Sequence, residues 1–295
     1  MGPLQRNLPV NKGAEVMAYS FSRGVNFVDT AELYKTYKYI RAAAKLAGKY
    51  PVVATKCYAH DRDTALHSIE TARSELDLDV IDIFMLHEQE SRYTLDGHRR
   101  ALETFLEAKS KGIIRAVGVS THYIEVVKVV ADIPWIDVIH PLINMTGLGI
   151  QDGNADEMSN AIRDAHSAGK GVYAMKIFGG GNLLSKYGKC LEYVVKKSYF
   201  DSIAIGMQSN REVDMNIDAL LHGKLPGDGA APGSIMNKKR LHVDYWCSGC
   251  GKCVKRCGQG ALRINSDKKA EASHEKCVLC GYCSSVCSEF AIKIC

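Results

Sequence analysis

Two sets of residues in this 295-residue chain have the types and spacing to do chemistry. Cys247, Cys250, Cys253 and Cys257 form a C-x2-C-x2-C-x3-C run, and Cys277, Cys280, Cys283 and Cys287 repeat it 30 residues later. Three thiolates at i, i+3 and i+6 can hold three corners of one cuboidal iron–sulfur cluster, while the fourth reaches the other cluster. That rule assigns one 4Fe-4S cluster to Cys247, Cys250, Cys253 and Cys287, and a second to Cys277, Cys280, Cys283 and Cys257. Zinc usually takes two pairs of ligands in a tetrahedron, which leaves the additional cysteines of both runs without a use. From Arg240 onward the chain holds nine basic and five acidic residues, a charge of +4 with neutral thiols. Eight thiolates and two cluster cores of about +2 bring that segment near neutrality.

The second set lies at the ends of short apolar runs. Asp29 follows Asn26-Phe27-Val28, Lys56 follows Val52-Val53-Ala54-Thr55, and His87 follows Ile83-Phe84-Met85-Leu86. Tyr34 comes five residues after Asp29. If those runs are parallel strands, their ends share one face, where the following loops converge and a site can form.

The elements that must position these residues are legible as a repeat. β-Branched runs recur at 25–28, 52–55, 80–86, 116–119, 136–139, 172–175 and 203–205. Between them are helical periodicities, such as Ala65, Ile69, Ala72 and Leu76, so the order is strand, helix, strand, helix. Seven such units predict a (β/α)8 barrel of TIM type, an α/β fold, rather than an open doubly wound sheet. Only Met1 to Asn7 precede the first clear helix, so the expectation is either a truncated first strand or a true start that lies upstream. Residues 221–239 hold several Gly and Pro without apolar periodicity and read as a linker. The expected organisation is a barrel over 1–220, the linker over 221–239, and a small α+β ferredoxin-like 4Fe-4S domain over 240–295.

Composition narrows the function classes. Hydrophobic residues make up 46% and charged residues 24%, as in a globular protein, and the net charge of +5 has no clustered basic patch to recognise nucleic acid. No apolar run approaches the roughly 20 residues of a membrane span. Thiolates at metal spacing require a reducing compartment, and the cytoplasm is the expected one. Cys57, Cys190 and Cys295 read as buried or incidental thiols.

The tail resembles the bacterial two-cluster ferredoxins, with Gly258 and Ser288 where a proline usually follows each fourth cysteine. Residues 1–220 resemble the aldo/keto reductase family. The resemblance is carried by Asn26 to Tyr34, the Ala54-Thr55-Lys56 strand end, Asp82 to His87, and Ile114 to Ser120. It implies Tyr34 as general acid, Lys56 and Asp29 tuning it, and His87 orienting a substrate carbonyl. An adjacent ammonium is expected to lower the phenol's pKa from about 10. The resemblance further implies NAD(P)H as cofactor, contacted by Ser120, Thr121, His140 and Asn144, by the Gly179 and Gly180 loop, and by Ser209 and Asn216. Four positions depart from the family pattern: Met175 replaces an aromatic, His140 a carboxamide, and Gln208 and Glu212 a basic pair.

A nicotinamide passes two electrons and a cluster one, so direct exchange needs a converter such as flavin. The expected function is therefore an iron–sulfur oxidoreductase acting on a small carbonyl or alcohol, with a flavoprotein or ferredoxin as redox partner. Two alternatives remain open at this point. The barrel is a degenerate scaffold for an electron-transfer protein, or the clusters are a structural or oxygen-sensing clip on a working reductase.

Overall fold

The computed structural model describes residues 8–224, 240–277 and 283–294. All seven β-branched runs become strands of one parallel sheet, paired in chain order: β1 Phe27–Asp29, β2 Val52–Cys57, β3 Ile81–Gln89, β4 Ile114–Thr121, β5 Val138–Pro141, β6 Gly171–Ala174 and β7 Ser202–Ile203. Around them lie α1 Val10–Ser22, α2 Tyr37–Ala47, α3 Arg62–Leu76, α4 Arg92–Gly97, α5 Arg99–Ser110, α6 Ile124–Ala131, α7 Ala155–Ser167, α8 Tyr187–Val195 and α9 Asn210–His222. The sheet curls into a half-barrel, and a hydrogen bond from Tyr173 on β6 to Asp29 on β1 spans its interior. Among the described residues no strand precedes β1. Residues 1–7, where a truncated opening strand is expected, lie outside them.

Strand periodicity sorts the core into two layers. Outward residues such as Val53, Phe84, Val117, Ile139 and Val172 pack against the helices, whose stripe on α3 is the expected Ala65, Ile69, Ala72 and Leu76. Inward residues Ala54, Met85, Val138 and Tyr173 form a smaller internal cluster. Burying these side chains contributes roughly 1.5–3 kcal/mol for each large one. Several helices start on side-chain caps that match the sequence, as at Asp61 with Thr64 and Asn154 with Glu157.

The barrel's last helix, α9, runs through His222, two residues past the expected boundary at 220. Most of the expected linker, residues 225–239, lies outside the described residues. In the tail, β8 Leu241–Val243 pairs antiparallel with β11 Ile292–Ile294, and β9 Leu262–Ile264 pairs antiparallel with β10 Ala270–Ala272. A short helix, α10 Lys252–Arg256, lies between β8 and β9. The tail's core combines Leu241, Leu262, Ala291 and Ile292 with Cys247, Cys253 and Cys283.

Candidate functional site

Register explains why Asp29, Lys56 and His87 meet. Asp29 pairs with Ala54, two residues before Lys56, and Lys56 pairs with Met85, two residues before His87. Steps of two keep all three side chains on the inner face. Lys56 is 1% exposed and its Nζ donates to Asp29 Oδ1 at 2.6 Å and to the Thr30 carbonyl at 2.6 Å. Burial pulls the Lys56 pKa down while Asp29 opposes it. Burial alone would raise the Asp29 carboxyl, but Lys56 and His140 outweigh it and hold Asp29 well below the usual carboxylate range.

Tyr173 donates to Asp29 Oδ1 at 2.8 Å, and the His140 ring stacks on Tyr173 with centroids 3.8 Å apart. His140 Nε2 lies 3.7 Å from Asp29 Oδ1, while Nδ1 is 2.7 Å from the Tyr173 carbonyl. Sequence reasoning missed Tyr173 because it sits within a β-branched run that reads as ordinary core.

The Tyr34 hydroxyl lies 3.4 Å from His87 Nε2, and Lys56 Nζ lies 5.4 Å from the Tyr34 ring centroid. The expectation that Lys56 lowers the phenol's pKa is corrected here. Burial, followed by the negative charges of Asp29 and Glu88, raises it well above 10, so Tyr34 keeps its proton. His87 is neutral, because burial lowers its pKa to about 3 despite Glu88 nearby. Its ring stacks on Tyr58, with centroids 4.7 Å apart. The Tyr58 hydroxyl donates to Glu88. The buried His87 Nδ1 and His122 Nε2 have no hydrogen-bond partner within the described residues.

The positions that the resemblance offers for nicotinamide have partners within the chain. Ser120 Oγ accepts from the Glu88 amide at 2.9 Å, and Thr121 Oγ1 donates to the Gln89 carbonyl at 2.6 Å. Asn144 closes its own loop, its Nδ2 donating to the Leu148 carbonyl at 2.8 Å and its Oδ1 accepting from the Leu148 amide at 3.0 Å. Ser209 caps α9 by accepting from the Glu212 amide at 3.3 Å. Asn216 accepts from the Tyr187 hydroxyl at 2.8 Å and donates to the Glu212 carbonyl at 2.7 Å. Gly179 and Gly180 lie in a left-handed turn, at φ 55° and 65°.

In the tail, Cys247, Cys250, Cys253 and Cys287 line one cavity with Gly249, Gly251, Ala270 and Ile292. These are the four cysteines that the spacing rule assigns to one cluster. Backbone amides point at the sulfurs: Gly249 and Ala270 each donate to Cys247 Sγ at 3.4 Å, and Ala261 donates to Cys257 Sγ at 3.4 Å. Such donors stabilise cluster thiolates, and the donor set fits an iron–sulfur group. Cys277 and Cys283 are also described, whereas Cys280 lies outside the described residues.

The tail sits over the barrel mouth. The Tyr245 hydroxyl donates to the Leu33 carbonyl, and the Trp246 ring lies 6.5 Å from the Tyr34 ring. Ser284 Oγ donates to Asn182 Oδ1 at 2.6 Å. Phe290, 3% exposed, packs with Leu142 and Met175 of the barrel rather than with the tail's own core. Lys176 Nζ stands 4.9 Å from its ring centroid and His122 meets it edge-on at 5.9 Å. Gly149 and Gly180 leave the ring its room. A Cβ at either would come within 2.3 or 2.4 Å of Phe290 carbons, and both glycines have positive φ.

The aldo/keto reductase family profile matches residues 4–198, and the 4Fe-4S dicluster domain profile matches residues 246–292. The chain belongs to the aldo/keto reductase family. With its dicluster domain, it is an iron–sulfur oxidoreductase. It is 25% identical over 207 residues to the methylglyoxal reductase DkgA of Yersinia pestis, covering 67% of this chain and 71% of that protein. The tail is 44% identical over 48 residues to one component of an ion-translocating oxidoreductase complex of Methanosarcina acetivorans, covering 16% of this chain and 18% of that component. In fold, the chain is similar to an aldo-keto reductase from Pseudomonas aeruginosa, with TM-score 0.62 and 16% identity, over 73% of this chain and 82% of that one. The NADP complex of a Bombyx mori aldo-keto reductase gives TM-score 0.56 and 17% identity, over 72% and 79%. Among the described residues no helix is long and apolar enough to cross a membrane.

Proposed function

We propose that the chain interconverts a small carbonyl compound and its alcohol at the Tyr34–His87 pair, with electrons exchanged through two 4Fe-4S clusters in residues 240–295. The observation that carries this reading is the Tyr34 hydroxyl, protonated, 3.4 Å from a neutral His87 at the mouth that the tail covers. Tyr34 donates its proton to the carbonyl oxygen as electrons arrive. His87, with hydrogen on Nε2, donates to the same oxygen and orients it. Once Tyr34 has given up its proton, the Lys56 charge stabilises the phenolate left behind. Asp29, supported by Tyr173 and His140, holds Lys56 in place.

Cys247, Cys250, Cys253 and Cys287 would hold one cluster, and Cys277, Cys280, Cys283 and Cys257 the second. When bound they supply one-electron transfer. Electrons enter from a flavoprotein or ferredoxin partner, with NAD(P)H as a source only by way of a flavin converter, in a reducing cytoplasm. The seated tail favours the protein partner. Phe290 of the tail lies on Met175, a position that the family resemblance places against nicotinamide, so a nucleotide there would compete with the seated tail.

Methylglyoxal, the compound in the name of the Yersinia pestis relative, is the first carbonyl to test. Anaerobically reconstituted protein should reduce it, and Tyr34→Phe should lower the rate by about 10²–10⁴, the usual contribution of general acid catalysis. Turnover undiminished in Tyr34→Phe overturns the assignment.

A further inference from the structure

We infer that Trp246 is the bridge over which electrons pass between the barrel site and the tail, an assignment that rests on the function proposed above. Trp246 directly precedes Cys247, whose side chain lines the tail cavity. Its indole centroid lies 6.5 Å from that of Tyr34, with the planes tilted by 42°. One aromatic side chain thus faces the residue that delivers the proton while its own backbone runs directly into a cluster ligand.

The indole is also fixed from several sides. Its Nε1 donates to the Glu289 carbonyl at 3.1 Å, and Glu289 lies between Cys287 and Phe290. Two residues that line the cavity, Cys247 as its neighbour in the chain and Glu289 by this hydrogen bond, thus flank the one ring. Tyr245 stands edge-on to the indole at 5.2 Å and anchors to the carbonyl of Leu33, the residue before Tyr34. Lys293, paired with the buried Asp244, lies 4.5 Å over the indole face. A cation there attracts the ring's electrons and opposes their removal. Trp246 therefore serves as a conducting medium and is not itself oxidised to a radical.

The redox balance closes within the proposed reaction. Reducing C=O to CH–OH breaks the C–O π bond and forms one C–H and one O–H bond, using two electrons and two protons. The two clusters that the eight cysteines would hold would supply one electron each, together the pair that the carbonyl requires. Tyr34 gives the oxygen's proton and solvent gives the other.

The test follows cluster absorbance by anaerobic stopped flow after dithionite reduction, with methylglyoxal as oxidant. Wild-type protein should be reoxidised. Trp246→Leu should slow reoxidation by about tenfold or more, a barrier increase of about 1.4 kcal/mol. Trp246→Phe, which keeps an aromatic ring, should recover most of the rate. Cluster absorbance, electron paramagnetic resonance spectrum and midpoint potential should match wild type in both variants, which separates a conducting role from a structural one. A separate arm uses Trp135→Phe protein, in which Trp246 is the remaining tryptophan. Its indole emission should fall strongly on cluster assembly, and unchanged emission overturns the bridge. If Trp246→Leu is reoxidised at the wild-type rate, the bridge is wrong and the proposed function stands. If NADH or NADPH supports turnover while methylglyoxal leaves reduced clusters untouched, the bridge fails and the barrel remains a reductase. Absence of turnover with either electron source removes the proposed function, and the bridge with it.

Discussion

Phe290→Ala tests whether the tail is held on the barrel as described. The ring is 3% exposed and shares its cluster with Leu142 and Met175 of the barrel, while the tail's own core is built from Leu241, Leu262, Ala291, Ile292 and cysteines. Truncating a buried phenylalanine costs about 3–5 kcal/mol. Because Phe290's packing faces the barrel, that loss falls on docking, shifting the seated-to-unseated ratio by roughly two to four powers of ten. Gly180→Ala should act in the same direction from the other side of the contact. Its Cβ would lie 2.4 Å from Phe290 Cδ1 at a φ of +65°, and left-handed backbone adds about 1–2 kcal/mol for a residue with a Cβ. Hydrogen exchange followed by mass spectrometry should show faster uptake over residues 142–150 and 178–184 in both variants. The visible absorbance of the clusters should stay at the wild-type level. Unchanged exchange, or loss of absorbance in step with it, would refute the packing argument.

Three further outcomes follow from the same geometry. Asp29→Asn leaves the buried Lys56 ammonium without its counter-ion, which costs about 3–5 kcal/mol in comparable buried pairs; a thermal melt should show the loss, and an unchanged Tm would contradict it. His87, His122 and His140 are depressed by burial to about 3, 4 and 3. The unfolded chain therefore binds more protons below the ordinary histidine value near 6.5, so stability is fully present above that pH. It is lost as pH falls, by up to about 1.4 kcal/mol per pH unit for each histidine. Melts at about pH 7 and 5.5 should differ accordingly, and a flat response would count against it. Cys253→Ala should lose one cluster and loosen the tail, since metal binding supplies folding energy in a small domain with few large apolar residues; protease resistance of 240–295 equal to wild type would contradict this.

The barrel was readable because each strand is a compact β-branched run and each helix keeps an apolar stripe, and because Asp29, Lys56 and His87 are ionisable where such runs end. What sequence could not supply was long-range packing. Tyr173 looks like another residue of a buried strand, and only the curl of the sheet brings it to Asp29, 144 positions away. Asn144 offers a carboxamide in a loop after a strand, yet local geometry folds that side chain back onto Leu148. The phenol's pKa was read from its cationic neighbour alone, whereas burial dominates and acts in the opposite direction. The seat of Phe290 depends on two glycines more than 100 positions away, which no local pattern connects to it.

The central claim is that two cubane clusters are carried by a tail whose ligands are shared between its two cysteine runs. Iron and acid-labile sulfide analysis of anaerobically reconstituted protein, with spin counting after reduction, tests it most directly. The account predicts about eight irons, eight sulfides and close to two spins per chain. Zinc in their place, or fewer than about six irons in fully loaded protein, would contradict it.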